Sequence, residues 1–194
     1  MSDSIYSAVL AGMWLAWLAV WLVSARNRKA TLRRESVGSR LSHGLPALAA
    51  AVLMVSHGLP IAWLYGRFVP STTTIILCGI VATAAGLAFA IWARFHLAGN
   101  WSATITLKQD HTLVRSGPYG LVRHPIYAGL WLASLGSTIT IGQWRGLIAL
   151  GLVTIVVLRK ASLEERLLRE GFGDDYERYS QDVPALIPAI RRWR

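Results

Sequence analysis

Apolar residues in this chain gather in long uninterrupted blocks, separated by short polar segments that hold almost all the charge. Residues 5–25 are a continuous apolar run of 21 residues with Trp14, Trp17 and Trp21 inside it. That length crosses a bilayer core of about 30 Å as a helix. No basic residue precedes the run and its apolar stretch is long, so it reads as a membrane helix and not as a cleaved signal. A second run covers 45–65 and contains His57, Gly58 and Pro60, which predict a kink whose freed backbone groups need partners or a cavity. His57 reads as a packed or hydrogen-bonded histidine in preference to a ligand, with lining of the active cavity as the alternative. After a short turn over 66–71, residues 73–93 form a third run rich in Gly79, Ala82, Ala85, Gly86 and Ala88. Small residues at this spacing let helices approach closely, so this helix is expected to be the packing centre. Residues 126–141 and 146–158 are two shorter apolar runs joined by 142–145, which predict a tight helical hairpin. None of these five runs contains Asp, Glu, Lys or Arg.

The pattern predicts an all-α integral membrane protein with about five transmembrane helices, the last two a short hairpin, plus a cytoplasmic cofactor-binding segment and a C-terminal helix. One membrane domain over 1–194 is expected, with three N-terminal spans in 1–95 and a catalytic core in 96–194. Basic residues set the orientation: segments 26–43, 94–124 and 159–194 hold six, four and eight Lys or Arg, against only Arg67 and Arg145 on the opposite side. The positive-inside rule then puts the N-terminus outside, and the polar segment 94–124 and the C-terminus in the cytoplasm.

Composition agrees with this reading. Of 194 residues, 54% are hydrophobic and 15% charged. The formal charge of +10 would suggest nucleic acid in a soluble protein, but here it flanks apolar segments, and no nucleic-acid partner is expected. Cys78 is the single cysteine and lies in an apolar run, which excludes an internal disulfide and a Cys-based zinc site. The five histidines, at 43, 57, 96, 111 and 124, lack ligand spacing, so no metal is expected.

The chemistry concentrates in residues 111–129, the most punctuated stretch of the chain. Gly117-Pro118 signals a turn. Pro125 pushes His124 out of the helical region and starts the next helix. The amides of Ile126, Tyr127 and Ala128 are then donors at a positive dipole end, next to Arg123 and His124, which describes an anion site. Glu164 and Glu165 stand where the last membrane helix runs into water. Pairing at helical spacing, Lys160 with Glu164 and Glu165 with Arg169, would account for them structurally. As a site, one carboxylate would bind an ammonium while Arg123, His124 and the helix start bind a carboxylate. Tyr119 and Tyr127 would face a cation with their rings. S-adenosylmethionine has that combination of charges.

The pattern Gly117-Pro118-Tyr119, Val122-Arg123-His124-Pro125-Ile126-Tyr127-Ala128-Gly129, Glu164-Glu165 and Phe172-Gly173-Asp174-Asp175-Tyr176 with Tyr179 and Val183-Pro184 closely resembles the isoprenylcysteine carboxyl methyltransferases and the related phospholipid methyltransferases. The resemblance covers roughly residues 95–190. It implies a membrane methyltransferase that uses S-adenosyl-L-methionine, releases S-adenosyl-L-homocysteine and acts on a lipophilic or prenylated acceptor from the bilayer. It further implies cofactor contacts from His111, Thr112, Leu113, Val114, Tyr119, His124, Pro125, Ile126, Tyr127 and Glu164, and Arg123 of the anion-site reading and Gly129 of the motif complete the expected cofactor-binding set. Glu165 is the neighbouring acid of a catalytic group with Arg159 and Lys160, the latter at a position where the family has arginine for its substrate. A phospholipid amine is an alternative acceptor. An NADPH-dependent reductase of the steroid-reductase type is a rival class, which would need more basic and Asn-rich loops to grip a dinucleotide. A scaffold or transporter would need charges within its spans.

Overall fold

The structure is a computed structural model that describes residues 2–24, 36–56, 58–97 and 113–188. Among the described residues six α-helices form: α1 (Ser2–Ser24), α2 (Val37–Val55), α3 (Thr73–Leu97), α4 (Pro125–Ile141), α5 (Trp144–Phe172) and α6 (Asp174–Asp182). Among the described residues no strand forms. α1, α3 and α5 are long and apolar enough to cross a membrane. Their outer faces present Leu15, Val81 and Ile155, each more than half exposed, which lipid accommodates and water does not.

Two expected boundaries move. The run 45–65 is not one kinked span: α2 begins earlier, at Val37, with Ser36 Oγ accepting the Ser39 N–H as its cap, and stops at Val55. Pro60 lacks a donor and disfavours helix before it, so the chain leaves the helix and turns through a 3₁₀ segment at Ala62–Tyr65. His57 lies outside the described residues. The run 146–158 lies inside a much longer helix, because α5 continues for 29 residues to Phe172. At 1.5 Å per residue that is about 43 Å, and about 20 residues suffice to cross a bilayer, so its charged C-terminal third projects beyond the apolar part.

α3 and α4 are the tightest pair and run antiparallel. A Cβ on Gly86 would sit 2.4 Å from the Ala133 nitrogen, and one on Gly136 would sit 2.5 Å from the Gly79 carbonyl oxygen. Gly79, Gly86, Gly129 and Gly136 therefore let two backbones touch. The expected stripe is corrected in detail: Gly79 and Gly86 face α4 together with Ala90, whereas Ala85 and Ala88 are exposed on the outer face. Inside the seam Thr83 Oγ1 donates to the Gly79 carbonyl at 2.9 Å and lies 3.3 Å from Ser137 Oγ. Trp14 Nε1 donates to that Ser137 hydroxyl at 3.0 Å, which ties α1 to the pair.

α2 packs on α5 and is fastened at both ends by arginines. Arg145 is buried and its Nη1 donates to the carbonyls of Leu53, Met54 and Ser56 at the end of α2, a cation on a helix C-terminus. At the other end Arg159 Nε donates to Ser42 Oγ at 2.7 Å.

Candidate active site

The site forms where α4 begins, where α5 passes beyond its apolar part, and where α6 folds back over both. Its approach is set by the 3₁₀ turn Gly117–Gly120. Gly117 has φ +59 and an added Cβ would lie 2.7 Å from the His96 ring, so both the backbone and the space require glycine. That turn buries Tyr119 against Ala93 and Ile126, with Trp21, Val114, Tyr127 and Leu130 around them.

His124 is the N-cap of α4 at φ −121 and ψ 62, and Pro125 is the first helical residue, as the sequence predicts. The expected anion site changes, however. The Ala128 amide is taken by the His124 carbonyl at 2.9 Å. Arg123 is engaged within the protein. Its Nε and Nη2 donate to Glu165 Oε1 at 3.1 and 2.6 Å, and its Nη1 donates to the carbonyls of Ser180 and Val183. Those two carbonyls are only three residues apart on the returning chain, so the planar fork holds α5 and the C-terminal segment at once.

His124 sits between both acids. Its Nε2 lies 3.2 Å from Glu165 Oε1 and its Nδ1 3.6 Å from Glu164 Oε2, with its side chain 2% exposed. Burial disfavours the imidazolium, but the facing Glu164 carboxylate and the hydrogen bond to Glu165 outweigh it and raise the pKa to about 8. Glu165 is held at about 2: the His124 hydrogen bond stabilises its carboxylate, burial opposes that, and Arg123 adds to the lowering. Glu165 also meets Arg169 at 3.3 Å, the helical pairing read from the sequence. Glu164 is different. Burial disfavours its carboxylate, yet the facing His124 ring, a hydrogen bond with Tyr127 and the charge of Lys160 hold its pKa below the usual range. Both acids are therefore ionised, and the Glu164 side chain is the more exposed of the two, 37% against 14% for Glu165. Lys160 Nζ stands 5.8 Å from the centre of the Tyr127 ring, which in turn stacks on His124.

The C-terminal segment closes the site from above. The Arg123 and His124 amides donate to the carbonyls of Pro184 and Ala185 at 2.8 and 3.0 Å. Tyr179 Oη donates to the Tyr119 carbonyl at 2.6 Å. Tyr176, Tyr179 and Val183 pack there with Leu113, Leu168 and Phe172.

The predicted residues therefore separate into groups. Arg123, His124, Glu164, Glu165, Tyr127 and Lys160 come together at one place. Val114, Tyr119 and Ile126 form an apolar wall beside it, Leu113 packs under the tyrosines, and Pro125 is buried. Gly129 faces α3, where a Cβ would meet the Gly86 carbonyl oxygen at 2.6 Å. Arg159 points to α2, away from Lys160. His111 and Thr112 lie outside the described residues. Arg169, which the sequence offers only as a helical partner of Glu165, joins this cluster: it bridges Glu165 and Glu177 and covers the Tyr176 ring. Its signal was the spacing to Glu165.

Comparison with known proteins places this arrangement. The family profile described as phospholipid methyltransferase matches residues 74–175, more than half of the chain and all of α4 and α5. A protein-S-isoprenylcysteine O-methyltransferase of Schizosaccharomyces pombe is 37% identical over 83 residues, 42% of this chain and 35% of that protein. A methanethiol S-methyltransferase of Pseudomonas deceptionensis is 37% identical over 75 residues, 38% of this chain and 28% of that protein. The protein-S-isoprenylcysteine O-methyltransferase of Homo sapiens is 25% identical over 174 residues, 88% of this chain and 60% of that protein. The chain thus spans less than two thirds of the length of these relatives. The family match runs through the helices that carry His124, Glu164 and Glu165, and this chain belongs to the phospholipid methyltransferase family.

Proposed function

We propose that this protein is a membrane methyltransferase that takes its methyl group from S-adenosyl-L-methionine and gives it to a lipophilic acceptor, with an isoprenylcysteine-like carboxylate as the favoured class. The observation that carries the reading is Glu164: an ionised, partly exposed carboxylate at the end of a membrane helix, with Tyr127 beside it and Lys160 one turn away. The cofactor fits this donor set. Glu164 would accept its ammonium, and the Tyr127 ring would flank its sulfonium. Val114, Tyr119 and Ile126 would supply an apolar wall. When bound, S-adenosylmethionine supplies an already activated methyl group, so the protein's part is to align the partners and exclude water.

Acceptor chemistry follows from which groups can move a proton. Glu165, at a pKa of about 2 and held by Arg123, His124 and Arg169, is a poor base at neutral pH. Its role here is to hold Arg123 and His124 in place. A carboxylate acceptor is already ionised and needs no base, and Lys160 is the cation placed to receive it. A small hydrophobic thiol is the second reading, favoured by the likeness to methanethiol S-methyltransferases. A phospholipid amine would have to lose a proton, and the reductase reading has no support from the family match.

We place α2 and α4 across the membrane as well, giving five crossings with the N-terminus outside and the site and C-terminus in the cytoplasm. The bias of basic residues supports that orientation. The chain is then a single membrane domain, with residues 1–95 as its N-terminal spans and 96–194 as its catalytic core.

Calorimetric binding of S-adenosylhomocysteine to detergent-purified protein tests this. Glu164→Ala is expected to weaken binding at least about tenfold, or about 1.4 kcal/mol. Lys160→Ala should weaken that affinity less than Glu164→Ala does and should lower turnover with a prenylcysteine acceptor. Wild-type protein that does not bind S-adenosylhomocysteine refutes the reading.

A further inference from the structure

We infer that His124 is a positioning residue: held as an imidazolium between Glu164 and Glu165, it fixes the Glu164 carboxylate toward the open side of the site, and ligand affinity falls when it loses its proton. The inference rests on the proposed function for the identity of the ligand, and on geometry for the rest.

A neutral imidazole has one N–H and one lone pair. Here both ring nitrogens face carboxylate oxygens, Nε2 at 3.2 Å from Glu165 and Nδ1 at 3.6 Å from Glu164. Either neutral tautomer would set a lone pair against a carboxylate. The ring is held in this orientation by its burial and by the Tyr127 ring stacked on its face at 5.7 Å between centres. The residue's backbone is fixed by its N–H donating to the Ala185 carbonyl and its carbonyl accepting from the Ala128 amide. The side chain is 2% exposed, so the imidazole acts through its neighbours and does not itself meet a ligand.

The two acids are unequal in what else holds them. Glu165 keeps Arg123 and Arg169 whatever His124 does. Glu164 has His124, the Tyr127 hydroxyl and the charge of Lys160. On loss of one proton the remaining one stays at Nε2, where the carboxylate is nearer, and Glu164 is left facing a lone pair. The ligand-facing acid is the one released.

The other ionisable groups around the ring are Arg123, Tyr127 and Lys160, Tyr119 of the 3₁₀ turn, Tyr176 of α6, and Arg169 on the far oxygen of Glu165. Burial raises the Tyr119 and Tyr176 hydroxyls well above their ordinary range, so they stay protonated through the interval concerned. The folded-state pKa of about 8 lies above the model-peptide value of about 6.5. The stabilising contribution is therefore complete below pH 6.5 and disappears as pH rises through about 8.

The test uses full-length protein labelled with ¹⁵N-histidine in detergent, with the His124 signals assigned by their loss in His124→Asn. At neutral pH both ring nitrogens should show protonated shifts, with a midpoint near 8 that moves to lower pH in Glu165→Gln and in Glu164→Gln. S-adenosylhomocysteine affinity of the wild type should fall about tenfold across that midpoint. In Glu165→Gln the fall should begin at lower pH. The ligand's own ammonium titrates identically against both proteins, so the displacement belongs to His124. A neutral His124 at pH 7, or a midpoint indifferent to both substitutions, overturns the inference. Binding that is present but whose pH profile is the same in Glu165→Gln overturns the positioning role. Absence of binding at every pH, with His124 titrating as stated, overturns the ligand reading instead.

Discussion

Gly129→Ala is the most direct test of how the fold holds the site. Gly129 lies two residues beyond Tyr127 and faces α3. The added Cβ would stand 2.6 Å from the Gly86 carbonyl oxygen, 2.8 Å from the Ala90 nitrogen and 3.0 Å from the Ala90 Cβ. Ordinary contact begins at 3.4 Å. The nearest neighbours are helix backbone and cannot swing aside, so α4 must retreat from α3 by about 1 Å. Overpacking of this kind costs about 1–3 kcal/mol. For a chain of this length that lowers the melting temperature by roughly 2–12 °C. The larger effect should be on function, because the retreat moves the start of α4, where His124 and Tyr127 sit. A displacement of about 1 Å is enough for losses on the order of 10²-fold in rate. Thermal melting in detergent and methyl-transfer turnover with a prenylcysteine acceptor read the two effects separately, and Ala85→Leu on the exposed face of α3 serves as the control. A Gly129→Ala protein that melts within about 1 °C of wild type and turns over as fast would show that the α3–α4 seam has slack.

Two arginines have comparable tests. Arg123→Lys keeps the charge but loses the fork that reaches Glu165, Ser180 and Val183 together. It should destabilise by about 2–4 kcal/mol, since hydrogen bonds to charged groups are worth about 1.5–3 kcal/mol each. Limited proteolysis should then cut the C-terminal segment first, and unchanged protection would refute the clamp. Arg145→Met leaves three carbonyls at the end of α2 without their donor and should cost about 2–4 kcal/mol in melting experiments. Arg159→Ala, at the exposed far end of the same helix pair, should cost under about 1 kcal/mol. Equal costs would refute the distinction.

The helical class, the apolar blocks and the start of α4 were legible along the chain because they depend on neighbours in sequence. A long apolar run has few folded forms in lipid other than a helix. Pro125 constrains its own φ and the residue before it, so His124 caps α4 whatever packs around it. The Arg123–His124 motif and the Glu164–Glu165 pair stood out as unusual chemistry for the same local reason, and their types alone suggested opposite charges. What those charges face was decided only by the tertiary structure. From the sequence Arg123 reads as a receptor for a ligand carboxylate, whereas α6 folds back so that Ser180, Val183 and Glu165 engage it. Gly129 reads as a site residue from its motif and is a contact with Gly86, 43 positions away. Arg159 and Lys160 are adjacent and alike in charge, yet about 100° of helix rotation sends one to Ser42 and the other to Tyr127. Local sterics and solvation preferences are written residue by residue. The partner of each buried charge depends on how distant helices cross, and at α3–α4 that crossing is set by glycines whose purpose appears only when the two backbones meet.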